Sequence, residues 1–126
     1  MRVNLTLSTY PVVRTPQRYQ EPFFGSDMPE TELAACCSRL QDESYRAYVE
    51  MVLVPLRPPA PITGTPLLVL GGADDVAISP EEVEATARRH NTRAELFPNM
   101  GHAIMLESGW QAVADHILGW LGEQGP

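Results

Sequence analysis

At 126 residues, 44% hydrophobic and 20% charged, the chain has material for one compact domain and one core. Its formal charge of −7 argues against the clustered-cation surface that nucleic acid or an anionic membrane requires, and the single basic cluster, Arg88, Arg89, His90 and Arg93, reads as a solvated helix end. The two cysteines, Cys36 and Cys37, are adjacent, which excludes a secreted-type disulfide framework, and no Cys/His set completes a zinc site.

The N-terminal residues 1–13 lack the continuous apolar stretch and cleavage site of a signal peptide. No run approaches the roughly 20 apolar residues of a membrane span, so a cytoplasmic protein is the default expectation. Residues 3–7 alternate weakly and offer one candidate strand. Residues 12–24 hold aromatics and two prolines without a clean period. Pro29 suits a first helical position, and Leu33, Ala34, Cys37 and Leu40 then recur at helical spacing. A further run from Ser44 sets Tyr45, Tyr48, Val49 and Val52 on one face. The first half, residues 1–60, therefore predicts two or three short helices. It ends in a connector, Pro55–Leu56–Arg57–Pro58–Pro59–Ala60–Pro61, whose prolines cannot serve a helix interior or central strand.

Residues 61–126 change to strand–helix–strand–helix. Pro66–Leu67–Leu68–Val69–Leu70 predicts a strand buried on both faces and ended by Gly71–Gly72. Ser79–Pro80–Glu81–Glu82 predicts a helix start with Ser at the N-cap, Pro at N1 and Glu at N3. That helix carries Val83 and Ala87 inward and stops at Asn91. Ala94–Glu95–Leu96–Phe97 predicts the second strand, stopped by Pro98–Asn99. In the last helix Trp110, Val113, Ala114, Ile117, Leu118 and Leu121 share one face, and Gly122 ends it. The strand–helix–strand unit implies two parallel strands, and strands this apolar look like part of a larger sheet.

In parallel sheets, functional groups collect beyond the carboxyl ends of the strands. Asp74 and Asp75 follow the first strand; His102 follows the second. Neighbouring tips lie about 5 Å apart, so an Asp–His bond that holds the imidazole in one tautomer is geometrically natural. Asp74 and Asp75 remain alternative partners at this point. A metal held by Asp74, Asp75 and His102 has the right ligand types but no further ligand nearby, so neither metal nor cofactor is expected. Gly71–Gly72 lacks the spacing of a dinucleotide loop. His90 and His116 are expected on helix surfaces.

These residues, in this order, resemble the α/β-hydrolase family. Its late strand ends in a Gly-x-x-Asp turn bearing the triad acid, here Gly71–Gly72–Ala73–Asp74–Asp75 with Pro80 beyond. Its last strand ends in a Gly–His pair bearing the base, here Gly101–His102, with Glu107 following and a final amphipathic helix after it. The likeness runs from Thr65 to Leu121. Residues 61–126 are thus similar to the C-terminal part of the core, and residues 1–60 are more loosely similar to the helical cap that many members insert.

The resemblance implies a partial α/β-hydrolase fold with Asp75 as acid and His102 as base, acting on a small ester-like substrate. It implies that Tyr45, Tyr48, Met51 and Phe23 or Phe24 line the pocket, core packing being their competing role. The family's nucleophile sits in a Gly-x-Ser-x-Gly elbow, and none of Ser8, Ser26, Ser38, Ser44, Ser79 or Ser108 has that context. The chain is thus expected to be a C-terminal fragment, inactive alone, marginally stable or self-associating. A non-catalytic remnant or a small α/β binding domain is the competing expectation.

Overall fold

A computed structural model describes residues 15–41, 44–53 and 60–125. The candidate strand at 3–7 and residues 55–59 of the connector lie outside the described residues. Three helices come first: α1 (Pro16–Phe23), α2 (Glu30–Ser38) and α3 (Tyr45–Leu53). Then follow β1 (Val69–Gly72), α4 (Pro80–Arg89), β2 (Ala94–Phe97) and α5 (Trp110–Glu123), which makes the chain mixed α/β.

Helix α1 falls where no apolar period announces it. Its start is nonetheless written locally: the Thr15 hydroxyl accepts from Arg18 N (3.4 Å), and Pro16 occupies the first turn. Pro22 removes a donor in the last turn, and the helix ends one residue later. Tyr19 and Phe23 of α1 pack beside the buried cluster Phe24, Met28 and Leu33. In α2, Pro29 is the cap and not the first helical residue: its extended ψ of 136° contributes only a carbonyl, which accepts from Leu33 N (2.9 Å). The buried stripe is Leu33 and Cys37 with Cys36 at its margin, while Ala34 faces outward.

The strands pair in parallel, Val69 opposite Ala94 through Gly72 opposite Phe97. Strand β1 therefore starts later than the apolar run suggests and continues through both glycines. Its length is set by its partner. Residues 66–68 would have to pair with residues 91–93, where the chain is still leaving α4 and Asn91 is left-handed (φ 55°). The glycines stay in the strand because neighbours press on them. A Cβ on Gly71 would lie 2.8 Å from Val83 Cγ2, and one on Gly72 would run into the Met100 and Gly101 carbonyl oxygens.

Helix α4 starts as its sequence predicts. Ser79 Oγ accepts from Glu82 N (3.4 Å), Glu82 Oε2 accepts from Ser79 N (2.8 Å), and Pro80 stands in the first turn. Val83 and Ala87 are its buried residues, and α4 lies against both strands.

Helix α5 departs from expectation in what it covers. Only Val113 is buried, in a cluster with Phe97 and Met100, and His116 sets its ring edge-on to Phe97 at 5.8 Å. Trp110, Leu118 and Leu121 are 46%, 66% and 52% exposed. The helix thus meets the sheet along Val113 and His116 and leaves most of its apolar stripe outside, because two described strands offer no broader surface. It also passes Gly122 to end at Glu123. No helix among the described residues is long and apolar enough to cross a membrane.

Candidate active site

Both candidate residues stand beyond the carboxyl ends of the paired strands. The turn after β1 is strapped to the segment after β2 through its backbone: Ala73 N donates to Phe97 O and Asp74 N to Met100 O, both at 2.9 Å. This strap needs a bare Cα at Gly72, as the carbonyls of Met100 and Gly101 occupy the space. With Asp74 held by its main chain, its side chain stays exposed and the next residue turns inward. Asp75 is 8% exposed.

The Asp75 carboxylate is fully engaged. Oδ1 accepts from Ala77 N (2.8 Å) and Ile78 N (3.0 Å), and Oδ2 lies 2.9 Å from Nδ1 of His102. Burial acts most strongly on this carboxyl and would raise its pKa. The amide of Ile78, the hydrogen bond of His102, the amide of Ala77 and the charge of the imidazole together outweigh burial and hold it below the usual carboxylate range. An ionised carboxylate only accepts, so Nδ1 of His102 carries the proton and donates. In the neutral form of the ring, Nε2 then presents a lone pair. That nitrogen has no hydrogen bond to any described residue, and the side chain is 37% exposed.

The His102 loop is held on its other side by the N-terminal segment. Asn99 is left-handed (φ 58°), which turns the chain sharply after β2. Ala103 N donates to Phe23 O (2.8 Å), and the Phe23 ring lies 6.0 Å from the imidazole. A Cβ on Gly101 would sit 2.7 Å from the Phe24 carbonyl carbon, so the two segments touch backbone to backbone. Glu107, 1% exposed, bridges them: its Oε1 accepts from Gly25 N (2.7 Å) and Gly101 N (2.8 Å).

Of the aromatic and apolar residues expected around a pocket, the structure brings Phe23 to His102. Phe24 belongs to the core at 6% exposed, while Tyr48 and Met51 point outward at 45% and 67% exposed. The Tyr45 side chain lies outside what the structure describes. His90 is less idle than a surface histidine, since its Nδ1 accepts from Ile62 N (3.0 Å). It lines a hollow of about 320 Å³ with Thr65, Leu67, Thr92 and Trp120, beyond the amino ends of the strands and away from Asp75. Among the described residues no cluster of three or more His, Cys, Asp or Glu could hold a metal ion.

Compared with protein-family models, curated proteins and solved structures, the chain has no significant match in any of the three. What the site can do rests on its own geometry: an oriented imidazole, proton on Nδ1, with Nε2 free to take and return a proton.

Proposed function

We propose that Asp75 and His102 are the acid and base of an α/β-hydrolase-type site and that residues 61–126 are the C-terminal part of such a fold. The observation that carries this reading is the 2.9 Å bond from Asp75 Oδ2 to His102 Nδ1 between adjacent parallel strand tips. In the intact arrangement a serine hydroxyl would lie at Nε2. His102 would take its proton as the serine attacks an ester carbonyl, then deliver that proton to the leaving alcohol. Asp75 would hold the tautomer and stabilise the imidazolium. The nucleophile is what this reading still requires: no serine of the sequence stands in a Gly-x-Ser-x-Gly elbow. Without it there is no covalent step, and the isolated chain turns over no ester.

The reading frame upstream of the Met1 codon supplies the test. If it encodes a Gly-x-Ser-x-Gly segment between a strand and a helix, the extended protein should hydrolyse short acyl esters and lose that activity in His102→Ala. A frame with no such segment, or an extended protein indifferent to His102→Ala, overturns the reading. The outward apolar face of α5 favours a second reading, a non-catalytic α/β interaction module. Under that reading the extended protein is inert towards esters, and Asp75→Asn alters stability alone.

A further inference from the structure

Glu107 is the most deeply buried large side chain described, and it is acidic. Burying a carboxylate is costly unless hydrogen bonds replace its water, and two backbone amides do so here. One belongs to Gly101, immediately before His102; the other belongs to Gly25, 82 residues away. The same two segments are joined by Ala103 N to Phe23 O and packed at Gly101 against Phe24. His102 is thus flanked on both sides by residues whose backbone is tied to residues 23–25.

We infer that Glu107 is a positioning residue: it docks residues 23–25 onto the His102 loop, and the Asp75–His102 bond forms only while that dock is closed. The inference deepens the proposed acid–base pair, and its readout is the state of the imidazole, not turnover. It can therefore fail while the hydrolase reading survives, and the reverse also holds. The physical reason is leverage. Imidazole-to-carboxylate geometry tolerates little displacement, and the His102 loop has no regular secondary structure of its own between β2 and α5. Without Glu107, the amides of Gly25 and Gly101 lose their acceptor, and water must enter to satisfy them.

The test uses the full chain and long-range proton–nitrogen NMR of its histidines. Wild type should show His102 as the Nδ1–H tautomer with a downfield ring proton. His90, whose Nδ1 is an acceptor, should show the Nε2–H tautomer and serve as internal control. Glu107→Gln keeps an acceptor oxygen for both amides and should retain the His102 signature. Glu107→Leu keeps the bulk without the acceptor and should lose it, while His90 is unchanged. A His102 signature that persists in Glu107→Leu, or disappears equally in Glu107→Gln and Glu107→Leu, overturns the inference. Should Glu107→Leu not fold, amide exchange in wild type decides. Gly25 and Gly101 amides should be slowed at least about 100-fold over a free loop amide, and together. Exchange at free-loop rates overturns the inference.

Discussion

Helices α4 and α5 each follow a strand, yet they are held by opposite means. Helix α4 is short and polar, with every local signal in place: a reciprocal N-cap, proline in the first turn, and Arg88 and Arg89 in the last. Its apolar stripe is narrow, and the two strands cover it completely at Val83 and Ala87. Helix α5 is longer and far more apolar, has no side-chain cap, and buries only Val113. The difference teaches that amphipathicity states what a helix could bury, and the surface opposite decides what it does bury. Two four-residue strands match α4 and fall short of α5.

The same substitution on the two helices breaks the comparison most severely. Val83→Lys places an unpaired charge between α4 and the sheet and should cost more than about 3 kcal/mol, enough to abolish a cooperative thermal transition. Leu118→Lys at the other end of the scale should stay within about 0.5 kcal/mol, because its site is already wet. The exposed stripe of α5 and the strand edges left unpaired among the described residues also predict self-association of the wild-type chain. Leu118→Lys with Leu121→Lys should lower the sedimentation-velocity mass toward monomer; an unchanged mass would place the contact elsewhere.

Asp75→Ala falls between these extremes. It strips acceptors from Ala77 N, Ile78 N and His102 and should destabilise by about 1–3 kcal/mol in urea melts. Its pH dependence has a definite sign. The folded carboxyl titrates below its unfolded value of about 3.9, so its contribution is complete above that pH. It is lost as pH falls through the depressed folded value, and Asp75→Asn should flatten that acid limb of the stability curve. Ser79→Ala, which removes one half of the capping box, should cost about 1 kcal/mol and fray the start of α4 by amide exchange.

Where a structural decision is made by neighbours in sequence, the sequence is readable. The start of α4 needs only Ser79, Pro80 and Glu82, and β2 is bounded by Pro98 and the residues leaving α4. Where the decision is made across space, it is not. Gly71 and Gly72 look like residues beyond a strand and are its last two paired residues, kept bare because Val83 and the Met100 and Gly101 carbonyls forbid a side chain there. The choice between Asp74 and Asp75 depends on a backbone bond from Asp74 N to Met100 O, which no spacing rule contains. Glu107 figured only as a residue following Gly101–His102. Its one local signal was an acid closing the run Ala103–Ile104–Met105–Leu106, and its partner Gly25 lies in another part of the chain. Helix α1 had a legible start at Thr15–Pro16 but no apolar period to support it, since the core it serves is formed by the residues just beyond its end.

The bond from Gly25 to Glu107 also dictates a timetable. A ribosome must add 82 residues after Gly25 before the acceptor exists, and by then α1, α2 and the strand pair have all been made. Closing so long a loop is entropically expensive and contributes nothing until its last contact forms. The Gly25 amide therefore stays hydrated through most of synthesis. The imidazole and its carboxylate, though both written in the second half of the chain, must wait for one of its earliest described segments to return and complete their support.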